Sequence, residues 1–166
     1  MPKPESYYRS LLSSEGLSDI FGELTFPYVK HKDIRVKDLP QIRCSQDIYN
    51  YINPVYETFV EEREIFYTVF LNRSSRIIGR WFTSMGSLDG TIFPIDMIAA
   101  RALKVMARAV VVIHNHPSEN KNPSEVDVRN SKKLKNALGF FDIPLLDSLI
   151  ITKENGYFSL ADEGLL

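Results

Sequence analysis

Apolar residues recur every three to four positions in three stretches of the chain, a spacing typical of helices with one buried face. The first stretch spans residues 45–59, and Ser45 suits its N-terminus. Pro54 lies inside it, so we expect a kink or a break there. Two further helices are predicted by the same criterion, at residues 96–108 and at residues 124–139, the last between Ser124 as N-cap and Gly139 as its terminating residue.

Short runs rich in aromatic and β-branched residues predict the strands. Residues 65–71 and 76–83 flank a polar turn and predict a β-hairpin. Residues 109–113 form a continuous apolar run, typical of a strand covered on both faces. Two more strands are predicted at residues 145–152 and 157–160. Because strands and helices interleave, we predict an α/β fold with a mixed β-sheet flanked by helices. The aromatic residues of the hairpin are expected in its core: Phe66, Tyr67, Trp81 and Phe82.

The first 44 residues differ from the rest of the chain. They are mixed and polar, with little apolar periodicity, and we interpret them as an N-terminal arm that precedes a domain at residues 45–166. Within the arm, residues 23–30 could form an extended segment, which Pro27 restricts to the edge of a sheet. His31 follows in a charged run and is expected to be a solvated surface residue.

The composition excludes several classes of protein. The chain has 166 residues, 44% of them apolar and 25% charged, the balance of a globular domain. Twenty Lys and Arg residues face 21 Asp and Glu residues, and the net charge of −1 argues against binding nucleic acid mainly through charge. We find no membrane span and no secretory signal, so we expect a cytoplasmic protein. Cys44 is the single cysteine, which excludes an intrachain disulfide and a cysteine-based zinc site.

His114 and His116 carry the strongest chemical signal. They lie at the end of the buried strand, where residues two apart point to the same face, so both imidazoles can reach one metal ion. Asp127, in the first turn of the next helix, can supply a third ligand. Two histidines, one aspartate and a water form the open tetrahedral site of a catalytic zinc. Glu64, at the start of the first hairpin strand, is the best candidate for the base that takes a proton from that water.

Ordinary structural roles also account for parts of this pattern. Two histidines at a strand end can be exposed side chains without a ligand. Ser124 and Asp127 form a capping-box pattern, which stabilises a helix start without catalysis. Three other acidic residues compete with Glu64 for the role of base: Glu57, Glu61 and Glu62.

Two segments together resemble the signature of JAMM metalloproteases, which consists of His-x-His-Pro, a short spacer and Ser-x-x-Asp. Residues 114–118 are His-Asn-His-Pro-Ser, and residues 123–127 are Pro-Ser-Glu-Val-Asp. The resemblance narrows to the RadC family of this JAMM/MPN group, because it continues at residues 63–72 and towards the C-terminus. It covers about residues 45–166 and implies a cytidine-deaminase-like α/β architecture.

The resemblance also implies roles for individual residues. Zn²⁺ would be held by His114, His116 and Asp127, and no other cofactor is expected. Glu64 would be the general base, and Ser124 would donate a hydrogen bond to the oxyanion of a tetrahedral intermediate. The reaction would be hydrolysis of a peptide or isopeptide bond by a zinc-activated water.

The chain departs from the RadC pattern at positions that are not proposed ligands. RadC proteins commonly carry glycine where Glu119 stands, histidine where Ser148 stands and an arginine near residues 95–96, where this chain has Ile-Asp. These differences concern the shape of the cleft and substrate preference. The helix-hairpin-helix segment that often precedes the RadC domain is not recognisable in the first 45 residues, which removes the clearest sequence argument for DNA contact.

We predict a JAMM-type metallopeptidase that acts on a protein or peptide substrate. The alternative is a non-catalytic zinc-binding or scaffold module associated with DNA repair or DNA metabolism. A nuclease fits less well, because phosphoryl chemistry more often uses two metal ions. Nucleic-acid binding stays open, and so do the substrate and the oligomeric state, since residues 23–30 could pair two copies in a homodimer. The basic residues of the third helix are interpreted as a solvated face: Arg129, Lys132, Lys133 and Lys135.

Overall fold

The computed structural model describes residues 36–56, 63–86 and 93–166. Within these ranges lie a short 3-10 helix at Val36–Asp38, three α-helices and five strands. The helices are α1 (Ser45–Tyr56), α2 (Ile95–Lys104) and α3 (Glu125–Gly139), and the strands are β1 (Ile65–Leu71), β2 (Ile77–Met85), β3 (Ala109–Asn115), β4 (Leu145–Ile151) and β5 (Tyr157–Ser159). The expectations for residues 23–30, for His31 and for Glu57, Glu61 and Glu62 fall outside the described residues.

The five strands form one sheet in the order β2-β1-β3-β4-β5. β1 is antiparallel to both of its neighbours, β3 is parallel to β4, and β4 is antiparallel to β5. The parallel pair brings the C-terminal ends of β3 and β4 to the same edge of the sheet. At that edge His114 is in register with Phe66 on one side and with Ile150 on the other. The predicted α/β fold with a mixed sheet and flanking helices is confirmed.

Helices cover both faces of the sheet, and β1 and β3 are therefore buried along their whole length. Alternate residues of these strands point to opposite faces and join two separate cores. The α1 core joins Ile48, Ile52 and Tyr56 to Val69, Val111, Ile113 and Leu149. The core under α2 and α3 joins Ile98, Leu134 and Leu138 to Phe66, Phe70, Val110 and Val112. None of the described helices is long and apolar enough to cross a membrane.

Pro54 does not break α1, and α2 ends earlier than predicted. α1 passes through Pro54 as far as Tyr56, where the described range ends, because a proline removes only one backbone hydrogen bond. α2 ends four residues early, because Met106 adopts a left-handed φ of 53°. The N–H groups of Met106 and Ala107 then turn back to carbonyls of the helix. Met106 is 77% exposed and does not belong to the core.

Two further expectations are corrected by the position of the residues in the fold. Gly139 is the last residue of α3 rather than the residue after it, and the left-handed turn falls at Asp142, with a φ of 55°. β2 extends to Met85, and as an edge strand it turns alternate residues to the surface. Phe82 is therefore 43% exposed. Trp81 is half-buried beneath the guanidinium of Arg101, whereas Phe66 and Tyr67 are buried as predicted.

Candidate metal centre

Four side chains with metal-binding atoms converge where β3 reaches the edge of the sheet. His114 lies in β3, and His116 follows the strand, with its N–H still donating to the carbonyl of Ile151 in β4 at 3.0 Å. Glu64 directly precedes β1, the other neighbour of β3, and Asp127 lies in the first turn of α3. The group is therefore assembled from three separate segments: the start of β1, the end of β3 and the first turn of α3.

The ligand atoms of these four residues lie within 4.8 Å of one another. Nε2 of His114 is 3.1 Å from Nε2 of His116 and 3.5 Å from Oδ1 of Asp127, and Nε2 of His116 is 3.6 Å from Oδ2 of Asp127. A tetrahedral zinc with bonds of about 2.0–2.1 Å would separate its ligand atoms by about 3.3 Å. The two histidines and the aspartate thus have the spacing needed to hold one metal ion. Oε1 of Glu64 lies slightly farther out, 3.7 Å from Nε2 of His114.

A hydrogen bond to the backbone orients the ring of His116. Its Nδ1 is 2.6 Å from the carbonyl oxygen of Asn120. A carbonyl can only accept, so Nδ1 carries a proton and donates it, and in the neutral ring Nε2 presents its lone pair to the cluster. Metal-binding histidines commonly show this arrangement, in which the second ring nitrogen donates to an acceptor outside the metal site.

Packing rather than hydrogen bonding orients the ring of His114. The side chain is 2% exposed and stacks against Phe66, with ring centroids 6.0 Å apart and planes inclined by 13°. Its Nδ1 is buried and has no hydrogen-bond partner among the described residues. The position of His114 is therefore set by the register of β3 against β1.

Asp127 is held by the N-terminal cap of α3. The backbone N–H and the hydroxyl of Ser124 both donate to Oδ2 of Asp127, at 2.8 and 2.7 Å, and Oγ of Ser124 accepts from the N–H of Asp127 at 3.2 Å. This is the capping box that the sequence pattern indicated. Burial alone would raise the pKa of Asp127, but hydrogen bonds to His114, His116 and Ser124 hold that pKa well below its usual range. The carboxylate is thus ionised at neutral pH.

The charges of the cluster favour a cation between them. Burial alone would lower the pKa of His116. Hydrogen bonds to Asp127 and to the Asn120 carbonyl, together with the negative charges of Asp127 and Glu64, outweigh burial and raise this pKa above its usual value. Two carboxylates facing two imidazoles therefore attract positive charge, which either a proton or a metal ion can supply.

Asn115, between the two histidines, braces the backbone around Glu64. It is buried, its Oδ1 accepts from the N–H of Ile65 at 2.6 Å, and its Nδ2 donates to the carbonyl of Arg63 at 3.2 Å. The carbonyl of Glu64 itself accepts from Gly86 at 2.8 Å. This role was not predicted from the sequence, because the contact joins residues that are 50 positions apart. The only available signal was a polar residue inside an otherwise apolar strand.

A cavity of about 230 Å³ opens beside His116, between α1 and the ends of β3 and β4. Its lining includes Asn53, Tyr56, Asn115, Glu119, Thr152 and Lys153. Several polar groups of this wall already bond to the backbone. The hydroxyl of Tyr56 donates to the carbonyls of Ile65 and Ile113, and that of Thr152 donates to Gly156. This part of the wall therefore has a fixed shape beside His116.

The structure brings together Glu64, His114, His116 and Asp127, and it places the hydroxyl of Ser124 on Asp127. Cys44 is exposed and lies outside this group, as expected. Ser148, a departure from the RadC pattern, is buried in β4 and accepts a hydrogen bond from Ser131 at 2.9 Å. The basic residues of α3 are all exposed, as predicted for a solvated face: Arg129, Lys132, Lys133 and Lys135.

Comparison with known proteins gives one family and a set of curated relatives. The family model described as "RadC-like JAB domain" matches residues 42–165. The UPF0758 protein of Flavobacterium johnsoniae is 35% identical over 127 residues, which are 76% of this chain and 54% of that protein. The UPF0758 protein of Porphyromonas gingivalis is 34% identical over 125 residues, 75% of this chain and 54% of that protein. The chain thus spans about half the length of these relatives.

Proposed function

Because the chain belongs to the RadC-like JAB domain family, we propose that it is a zinc-dependent hydrolase that cleaves a peptide or isopeptide bond. The observation that carries this proposal is the convergence of His114, His116, Asp127 and Glu64 within 4.8 Å. Two imidazoles and a carboxylate are ligand types of catalytic zinc sites. A fourth group that is acidic but slightly farther away suits a base better than a ligand.

Zn²⁺ would be held by His114, His116 and Asp127. When bound, zinc supplies a Lewis acid that polarises a substrate carbonyl and lowers the pKa of water at its open position. The protein prepares for this ion in two ways. In its neutral form His116 directs the lone pair of Nε2 to the cluster, because its Nδ1 donates to Asn120. Asp127 is already ionised, so binding does not require its carboxylate to lose a proton.

Glu64 acts as the general base in this proposal. It accepts a proton from the attacking water and delivers the proton to the leaving nitrogen, a role that needs a carboxylate within reach of the water. Its Oε1 is 3.7 Å from Nε2 of His114, and the side chain remains 22% exposed, so water can reach it. The backbone on both sides of Glu64 is fixed by Asn115.

Ser124 donates a hydrogen bond to the developing oxyanion in the same proposal. In the structure its hydroxyl donates to Asp127 at 2.7 Å. Rotation about the Cβ–Oγ bond would redirect that proton. The backbone N–H of Ser124 would still donate to Asp127 at 2.8 Å, so the aspartate would keep one of its two bonds from this residue.

We assign the cavity beside His116 to the side chain of a substrate residue next to the scissile bond. At about 230 Å³ it is smaller than the roughly 300–1,000 Å³ of pockets that enclose a whole small molecule. One peptide side chain is a better match for its size. His116 is the member of the cluster that lines this cavity.

The test measures zinc content and hydrolysis together. Wild-type protein purified with zinc present should contain about one zinc per chain and cleave members of a peptide library or of a Lys-linked isopeptide library, both followed by mass spectrometry. Glu64→Gln should keep the zinc and lose about 10²–10⁴-fold in rate, the usual contribution of a general base. Glu125→Gln is the matched control, because Glu125 is exposed in the same region but lies outside the cluster, and it should behave as wild type.

Two results would contradict the proposal. Wild-type protein without zinc after metal-replete purification would remove its basis. Stoichiometric zinc with no cleavage in either library would instead favour the non-catalytic zinc-binding module. If Glu64→Gln retained full activity, hydrolysis would stand but a different residue would be the base.

A further inference from the structure

Glu119 adopts a backbone conformation that is sterically unfavourable for a residue with a side chain. Its φ is 61°, in the left-handed region that glycine enters freely and that residues with a Cβ seldom occupy. The turn that contains it follows His116 directly, and the N–H of Glu119 donates to the carbonyl of His116 at 3.1 Å. A strained residue so close to a candidate ligand needs compensating contacts.

Three hydrogen bonds hold Glu119 to the turn between β4 and β5. Its Oε1 accepts from the N–H of Lys153 at 3.0 Å, and its Oε2 accepts from the N–H of Glu154 at 2.9 Å. Its own carbonyl accepts from Nδ2 of Asn155 at 3.1 Å. Both oxygens of the carboxylate are therefore used to tie two loops together across 34 and 35 positions of the chain.

These three hydrogen bonds, the Glu119 clamp, also hold the backbone that leads to the next residue, Asn120. The carbonyl of Asn120 is the acceptor 2.6 Å from Nδ1 of His116, and in the neutral ring that hydrogen bond leaves the lone pair of Nε2 directed at the cluster. The direction of the Asn120 carbonyl depends on the backbone angles of Glu119. A chain of contacts thus runs from the β4–β5 turn through Glu119 and Asn120 to the ring of His116.

We propose that Glu119 is a positioning residue of the metal centre: its carboxylate holds the turn in the conformation that orients the ring of His116 for metal binding. The presence of a metal in this inference rests on the proposed function. The orientation of the His116 ring does not depend on it. Glu119 does not touch the metal-binding atoms, and its carboxylate acts on the ring of His116 through the carbonyl of Asn120. A residue that merely closed the loop would stabilise the fold without changing the state of His116.

The experiment compares two Glu119 variants with a matched control. Glu119→Gly removes the clamp and also relieves the strain at φ 61°, so folding should not suffer from the backbone. Glu119→Gln keeps one acceptor oxygen and places an NH₂ group against a backbone N–H. Glu154→Gln removes one negative charge from the neighbouring β4–β5 turn and keeps the backbone N–H that donates to Glu119. Circular dichroism melting of each metal-free protein verifies that it is folded.

Two measurements report on His116. In metal-free protein above the pKa of His116, ¹⁵N chemical shifts of the imidazole distinguish the two tautomers. Wild type and Glu154→Gln should show the form protonated at Nδ1, whereas Glu119→Gly should show a mixture. Zinc affinity, measured by competition with a chelator, should fall roughly tenfold or more in Glu119→Gly, as for the loss of other outer partners of ligands. Glu119→Gln should lie between.

The two proposals fail in different ways. If wild-type protein binds no zinc, the proposed function falls, and the tautomer measurement still decides the role of Glu119. If Glu119→Gly keeps both the wild-type tautomer and the wild-type zinc affinity, the positioning role is overturned. An equal loss of affinity in Glu154→Gln would overturn it as well, because the net charge of the turn would then be the cause.

Discussion

The two sides of the candidate metal-binding cluster are held in place by different forces. On the strand side, His114 is 2% exposed, is packed against Phe66 and has an Nδ1 with no hydrogen-bond partner among the described residues. On the loop side, the side chain of His116 is 16% exposed, and its Nδ1 is fixed by the carbonyl of Asn120. One ligand is oriented by the shape of the core and the other by a hydrogen bond at the end of a braced turn.

This difference separates folding from metal binding. The strand side is part of the buried sheet, since His114 is paired in register with Phe66 and Ile150. A change there should affect the stability of the whole domain as well as the ligand. The loop side is attached to the sheet through Glu119 and through one strand-like hydrogen bond of His116. A change there should affect the metal site while leaving the core intact.

Removal of each histidine gives the largest expected effect. His114→Ala and His116→Ala should each lose the stoichiometric zinc, measured by elemental analysis. His114→Ala should also destabilise the metal-free protein more than His116→Ala does, by about 1–3 kcal/mol in urea unfolding, because it leaves a cavity against Phe66 in the buried sheet. Equal unfolding free energies for the two metal-free variants would show that the strand side is no more part of the core than the loop side.

Asn115 provides the next test, because it braces the strand side as Glu119 braces the loop side. Asn115→Ala leaves the N–H of Ile65 and the carbonyl of Arg63 without their partner, which should cost about 1–3 kcal/mol of unfolding free energy. It should lower turnover more than zinc affinity, because it affects the backbone of Glu64. Asn155→Ala is the control, since it removes an exposed hydrogen bond to Glu119 and should change stability by less than about 0.5 kcal/mol. If Asn115→Ala and Asn155→Ala lost similar amounts of unfolding free energy, burial of the Asn115 hydrogen bonds would be unimportant for stability.

Local sequence patterns predicted the strand side well. The run at 109–113 is buried on both faces as β3, and the alternation of a strand placed His114 and His116 on one side of it. Asp127 could be placed because the capping pattern fixes the first turn of α3. Each of these inferences uses residues within a few positions of one another, where backbone geometry is nearly independent of the rest of the fold.

The features that the sequence analysis missed depend on contacts between distant residues. Asn115 acts on Ile65, 50 positions away, and Glu119 acts on Lys153, 34 positions away. The exposure of Phe82 follows from the position of β2 at the edge of the sheet, which its own composition does not reveal. The early end of α2 depends on a left-handed methionine, a residue type that seldom adopts that conformation.

Ser124→Ala should have a moderate effect on stability. It removes the hydroxyl of the capping box on α3, and loss of such a cap costs about 0.5–2 kcal/mol. Urea unfolding of the metal-free protein measures this cost, with the exposed Ser118→Ala as control. Turnover at saturating zinc then separates the two roles of Ser124. A fall in rate with unchanged zinc content would support the oxyanion role, whereas an unchanged rate would leave only the cap.

The smallest expected effect concerns pH and the loop side alone. The pKa of His116 is raised in the folded protein, so its protonated form stabilises the metal-free fold. That contribution is fully present below the unfolded pKa of about 6.5 and is lost as the pH rises through the folded pKa. Metal-free protein should therefore lose some unfolding free energy between pH 6 and pH 8. His116→Gln should lose less unfolding free energy over the same interval. The difference between the two proteins isolates the contribution of His116 from that of Asp147, whose pKa is also raised by burial.

Zinc affinity should change in the opposite direction and rise with pH, because the metal competes with the proton for Nε2 of His116. If His116→Gln kept the full pH dependence of wild type, the proton would be bound on the strand side, and the assignment of separate roles to the two histidines would be wrong.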